Sequence, residues 1–244
     1  MKNLLKLIRL SPLYIFFLLI FNLSAETLQL SIRYLGIKVV LVEMTNQDNI
    51  LSIRAKSTSL ASLAAKMNNF YRIRYADNYI PLEYMKKIDQ KDYQEDRVTI
   101  YDQENGLAFL ISNLDRRINT SYHLQPETRD FFSALYYLRF QASSDSGKIW
   151  IDANNVIWKC SFSRIGTEYI RSPLGKISCD RIKIDFRRID NKESERTDML
   201  TNNLVDEEIS LHFWFTSDER RLPLKAKFYM KPFPVTWVLE SHED

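Results

Sequence analysis

The chain has 244 residues, with 34 basic and 31 acidic side chains, 45% hydrophobic and 13% aromatic residues. Residues 1–25 hold three of the basic residues and no acidic one, so the rest balances at 31 of each sign. That balance removes a basic footprint for nucleic acid or for an acidic membrane surface, while the apolar content suffices for the core of one β-rich domain.

Lys2, Lys6 and Arg9 precede an apolar run from Leu13 to Leu23, and the small pair Ser24-Ala25 follows. This is the pattern of a secretory signal peptide over residues 1–25, cleaved after Ala25. The run is shorter than the about 20 apolar residues that a spanning helix needs, and no later segment reaches that length, so no integral membrane segment is expected after cleavage. No cysteine precedes Cys160, so no lipid-bearing cysteine follows the signal. Residues 26–244 are expected as a single exported domain.

From Leu28 onward apolar and polar residues alternate, which predicts strands with one buried face. The Ala and Leu content of Ser57 to Met67 suggests a short helix. Asn105-Gly106 between Arg97–Asp102 and Leu107–Ser112 predicts a hairpin, because both residues tolerate positive φ. Thr128 to Gln141 reads as an apolar helix capped by Thr128 or Asp130. Asn154-Asn155 divides Lys148–Asp152 from a strand with Val156, Trp158, Cys160 and Phe162 on one face. A short strand over 167–171 then precedes Pro173-Leu174-Gly175. In Lys176 to Arg187 the apolar phase switches from Ile177 and Cys179 to Ile182, Ile184 and Phe186, which calls for a bulge or bend. Asp190 to Glu208 reads as a polar loop. Two strands follow, with Leu211, Phe213 and Phe215 inward in one and Leu224, Ala226 and Phe228 in the other, and Lys231 to Pro234 leads into the last strand. The expected class is mainly β: a curved antiparallel sheet or incomplete β-barrel with one or two helices packed against it.

The five glycines are too scattered to form a phosphate loop or dinucleotide fingerprint, and neither G-x-S-x-G nor H-E-x-x-H occurs. His123, His212 and His242 lie in unrelated segments, and His242 sits near a terminus expected to fray. The acidic runs at 206–208 and 218–219 read as solvated turns. No catalytic residue, metal ligand or cofactor is therefore assigned. Cys160 and Cys179 could form a disulfide only if the segment between them is short or displaced, since in a three-stranded meander they would stand about 9.6 Å apart. Asn119-Thr120-Ser121 matches a glycosylation acceptor that matters only in a eukaryotic secretory pathway.

Phe131, Phe132, Leu135 and Tyr136 on the helix, with Trp158 and Phe213 on strands, form either core or the lining of a pocket between helix and sheet.

Asp130 to Arg139 (DFFSALYYLR), Gly166 to Ile170, Pro173 to Lys176 leading to Cys179, and Trp214 to Lys227 (WFTSDERRLPLKAK) occur in an order and spacing that resembles the DUF3108 family of exported bacterial proteins. The likeness extends through Tyr34 to Ile37 and Tyr79 to Lys86, and thus over nearly all of residues 26–244. It implies export to the periplasm and a β-rich fold, and it transfers no catalytic residue. Cys160 departs from the family pattern. Together these readings predict a non-catalytic periplasmic protein that binds or carries an apolar or amphipathic small molecule. The alternative is an envelope module that holds another protein. Oligomeric state is not fixed by the sequence.

Overall fold

The computed structural model describes residues 25–114, 119–140, 145–189, 198–202, 205–229 and 233–244. The expected signal peptide up to residue 24, and residues 190–197 and 203–204 of the expected loop, lie outside the described residues.

Eight strands come first: β1 (Glu26–Tyr34), β2 (Ile37–Gln47), β3 (Ile50–Ser57), β4 (Asn68–Ala76), β5 (Ile80–Gln90), β6 (Tyr93–Asp102), β7 (Leu107–Ser112) and β8 (Asn119–His123). A two-residue strand, β9 (Arg129–Asp130), enters a helix. Then follow β10 (Ser146–Ala153), β11 (Val156–Ser172), β12 (Gly175–Arg188), β13 (Leu211–Thr216), β14 (Pro223–Tyr229) and β15 (Pro234–Glu243). Every strand pairs with its sequence neighbours except that β8 and β9 do not pair with each other, and β1 also pairs with β15, so the fifteen form one open curved sheet with β8 and β9 at its edges. All pairings are antiparallel except that of β9 with β10. No helix among the described residues is long and apolar enough to cross a membrane.

The tight turns follow local chemistry. Asp48-Asn49 and Asn154-Asn155 have φ values of 52, 59, 58 and 64°, the left-handed pairs that two-residue hairpins require. Leu35-Gly36 between β1 and β2 does the same at 53 and 80°, although leucine gains nothing locally from that conformation.

The helix expected over Thr128 to Gln141 is α2 (Phe131–Phe140), preceded by α1 (Ser59–Ser62). It starts later than its pattern suggests because Arg129 and Asp130 pair with β10. Asp130 is the cap, its Oδ1 accepting from the amides of Phe132 at 2.9 Å and Ser133 at 3.1 Å. The expected Ser57–Met67 helix shrinks to α1 because Met67 is drawn into a bridge with Gln90 while its carbonyl accepts from Ser57. A third short helix, α3 (Met199–Asn202), begins at Asp198.

The largest departure from the predicted pattern is the β11–β12 hairpin. Separate strands over 156–162 and 167–171 were expected before 176–187; instead β11 runs unbroken to Ser172, with an irregularity between Arg164 and Gly166 while β12 stays regular. The bulge thus lies in the partner of the segment whose phase switches. Beyond it the hairpin becomes an arm that turns back over the outer face of β13 to β15. Glu168 accepts from Trp214 Nε1 at 2.6 Å, and Ile170 and Arg171 approach Lys225 and Val238. All six residues of β13 are consequently buried, where alternation had predicted one wet face.

The same continuity settles the cysteines, which are free thiols. Cys160 stands opposite Phe186 on β12 and Cys179 opposite Glu168 on β11. Seven residues of strand therefore separate them, about 23 Å at about 3.3 Å per residue, far beyond disulfide reach.

Candidate functional site

Helix α2 plugs one end of the rolled sheet. Arg139, from its last turn, grips the Glu26 carboxylate through Nη1 and Nη2 at 2.8 and 2.7 Å and also donates to the carbonyls of Arg220 and Arg221. Burial alone would raise the Glu26 pKa, but Arg139 holds it below the usual value. His242 lies in the same corner, 3.5 Å from Glu26 and 3.0 Å from Asp244. Its terminus does not fray, since β15 stays paired with β1 out to Glu243.

Between β5, β6 and the opposite edge the interior is polar. Lys86, 1% exposed, donates to Asp198 at 2.8 Å and to Asn154 at 3.0 Å, with Glu95 at 3.7 Å. Asp198 also accepts from the Tyr71 hydroxyl at 2.7 Å, the Thr201 hydroxyl at 2.6 Å and the amides of Leu200 and Thr201. Burial pushes its carboxyl up, but Lys86 and these donors outweigh burial and hold it far below the ordinary range. Glu95 pairs with Arg97. Further along, Asp152 of β10 accepts from Tyr101 of β6 and Tyr122 of β8, and burial raises its pKa. Asp130 is likewise pushed up, to about 6, by burial, despite its donors. These bonds cross the gap between the two halves of the open sheet. Arg129 of β9, donating to the carbonyl of Asn78, clasps it again. The cluster thus has a structural role, tying the two halves of the sheet together.

The opposite end of the roll is different in character. A cavity of about 360 Å³ is lined by Ile32, Tyr34, Val39, Val40, Ala61, Ala64, Ala65, Met67, Leu200, Phe228, Val235 and Trp237, and no charged group reaches it. Its walls are the inward positions of β1, β2, β14 and β15. Its cover is the α1 segment, where three alanines stand in place of residues that would fill the space, and Leu200 of α3 completes the wall. The same α3 thus carries Asp198 and Thr201 into the polar cluster and Leu200 into the cavity. Chemically the site can enclose an apolar chain and exclude water from it, and the lining side chains that carry ordinary hydrogen-bonding groups are Tyr34, with its hydroxyl, and Trp237, with its indole N–H.

Phe131, Phe132, Leu135, Tyr136, Trp158 and Phe213 are all buried, between 0 and 8% exposed. Phe132 packs on Tyr71 with ring centroids 5.2 Å apart, and Tyr136 packs on Tyr79 at 5.7 Å. None of the six lines the apolar cavity, while Trp158 lines a separate polar cleft with Arg188 and Glu207. The cavity residues carried one faint signal in sequence, the run of small residues between Ser59 and Lys66. His212 accepts at Nδ1 from Arg181 Nε, 3.3 Å away, and burial and its cationic neighbours lower its pKa.

The fold has a precedent in the crystal structure of a beta-barrel-like protein of domain of unknown function DUF1849 from Brucella abortus. That protein is 8% identical, matched over 91% of this chain and 98% of its own, with a TM-score of 0.57. The hypothetical lipoprotein YmcC from Escherichia coli aligns at 8% identity over 89% of this chain and 84% of its own, with a TM-score of 0.34. Among curated proteins none matches. The family model described as protein of unknown function (DUF3108) matches residues 29–232, and the chain belongs to that family.

Proposed function

We propose that this is an exported, periplasmic, non-catalytic carrier that holds an apolar or amphipathic small molecule in the cavity beneath α1. The observation that carries the reading is the composition of the cavity: twelve lining residues, none charged, around about 360 Å³. Small-molecule sites span about 300–1,000 Å³ and are mostly apolar, and an apolar hollow of about 150 Å³ already accommodates benzene. The signal-peptide pattern of residues 1–25 supports export. Native mass spectrometry of protein isolated from its own envelope tests the carrier role. A retained small molecule is expected, and its loss is expected when Ala61→Phe fills the cavity. Protein that carries nothing, and takes up no alkyl-chain probe when offered one, refutes the reading.

A second reading, an envelope module that holds another protein, is favoured by one surface. Met85, Val98 and Ile111 lie directly opposite one another on the outer face of β5 to β7, and Ile100 faces Phe109 in the next row. Ile100, Phe109 and Ile111 are 42, 41 and 39% exposed. A stoichiometric partner released by Ile100→Asp supports this reading; an unchanged native mass removes it.

A further inference from the structure

The cavity opens within a rim of exposed apolar side chains. Leu63 is 82% exposed, Leu60 69%, Leu35 58%, Ile37 55% and Phe233 44%. They come from three separate segments that touch. The Phe233 ring packs edge-on to Tyr34 at 6.2 Å, and Tyr34 precedes Leu35 and lines the cavity. Thr58, at the start of the α1 segment, bonds to the carbonyls of Lys38 and Val39, next to Ile37. On that segment Leu60 and Leu63 point to solvent while Ala61, Ala64 and Ala65 face the cavity. Rim and cavity thus form one continuous apolar surface. Leu35 reinforces the point: a large apolar residue occupies a left-handed turn position where Asn, Asp or Gly is favoured, and it is exposed there.

Charge beside the rim is positive. Leu35 and Phe233 also border an outer cleft of about 660 Å³, whose charged lining residues are Arg33, Arg171 and Lys225, with no carboxylate among its lining. Nearby, Glu240 is shared by two cations, Arg33 at 2.9 Å and Lys38 at 2.8 Å. The even charge of the whole chain conceals this local excess.

We propose that the rim docks on the surface of a lipid bilayer containing anionic headgroups, with Leu35, Ile37, Leu60, Leu63 and Phe233 inserting among the acyl chains and the cations of the cleft meeting headgroup phosphates. Insertion of apolar side chains beside basic ones is the combination that binds such surfaces. An acyl chain could then pass between bilayer and cavity without crossing water, so the inference rests on the carrier reading and extends it to where the ligand is exchanged.

The test is co-sedimentation of the exported protein with vesicles of phosphatidylcholine, alone and mixed with phosphatidylglycerol. Binding is expected, stronger with phosphatidylglycerol. Leu60→Asp with Leu63→Asp should weaken it about tenfold or more. Their unfolding midpoint and retained ligand should stay unchanged, because neither residue lines the cavity. Arg171→Glu should abolish the preference for phosphatidylglycerol. Failure to bind either vesicle, binding indifferent to the Leu60 and Leu63 changes, or a dimer that buries the rim overturns the proposal. Ligand retained without vesicle binding overturns it and leaves the carrier reading standing. Vesicle binding with an empty cavity upholds the docking face and removes the carrier reading.

Discussion

Replacing Lys86 by Met should be among the most damaging single changes in the chain. Lys86 and Asp198 are 1% and 0% exposed and 2.8 Å apart. At an effective dielectric constant of about 20 their attraction is about 6 kcal/mol, part of which offsets the desolvation of both ions. Met keeps the stem but leaves Asp198 and Glu95 without their shared cation, a loss of about 3–5 kcal/mol. That is a large fraction of the about 5–15 kcal/mol that stabilises a typical domain. Adding Asp198→Asn to Lys86→Met should recover about half of the loss, because Asn keeps an acceptor for the Leu200 and Thr201 amides and carries no charge. The pH dependence follows from the sign of the shift. The folded pKa of Asp198 lies below its unfolded value of about 3.9, so its stabilisation is complete above that value and declines as pH falls through the folded pKa. Urea unfolding at pH 7 and at pH 3 checks both parts, and the acid-induced loss should be smaller in Lys86→Met. A cost below about 1 kcal/mol, or a double variant no more stable than Lys86→Met, refutes the assignment of the pair as a mainstay of the fold.

Asp130 should behave in the opposite sense. Its folded pKa of about 6 exceeds the unfolded value, so this group's contribution is complete below about pH 4 and declines as pH rises through 6. Asp130→Asn should therefore remove a loss of stability of up to about 3 kcal/mol that develops between about pH 4 and 7, read by thermal unfolding across that range. Gly147→Ala should destabilise by about 1–3 kcal/mol in chemical denaturation, since a Cβ there would lie 2.6 Å from the Phe162 ring, and Phe162→Leu should relieve much of that cost. Burial raises the pKa of Cys160, and raises that of Cys179 to about 11, so neither thiol should react with a thiol reagent until denaturant is added, when both should react without prior reduction.

The strands that follow period 2 were legible because their inward faces are apolar, as in β14 with Leu224, Ala226 and Phe228. Helix α2 was legible because its cap and its apolar face agree. β6 inverts the rule. Glu95, Arg97 and Thr99 point inward while Val98 and Ile100 face out, so alternation alone assigns the wrong face. A strand of two residues such as β9 carries no pattern at all. The length of β11 was hidden because burial ends at the bulge while hydrogen bonding does not, and periodicity reports only burial. The candidate pocket was placed on aromatic residues because they are large, yet size fills space. The cavity exists where Ala61, Ala64 and Ala65 are small, and a small residue gives no sign in sequence of whether a neighbour has filled the gap.

The polar cluster answers a problem that the fold itself creates. An open sheet leaves two edges, and an edge that is neither paired nor covered is a site for pairing with other chains. Hydrophobic contact could hold β8 near β10, but such contact is non-directional and tolerates slippage. Tyr101 and Tyr122 donating to one carboxylate on Asp152, Arg129 donating to the Asn78 carbonyl, and Lys86 reaching Asn154 each require one relative placement of the two halves. Specificity rather than net stability is then the expected contribution of these groups. Replacing Tyr101, Tyr122 and Asp152 together by Phe, Phe and Leu removes the three partners at once, so the cost in unfolding free energy should be confined to the acceptor lost by the Asn155 amide and the partner lost by Thr99, about 1–3 kcal/mol. It should nevertheless broaden the amide spectra of β8 and β10 and promote association through the loosened edge. A triple variant with sharp spectra and a monomeric mass would show that packing alone sets the register of the seam.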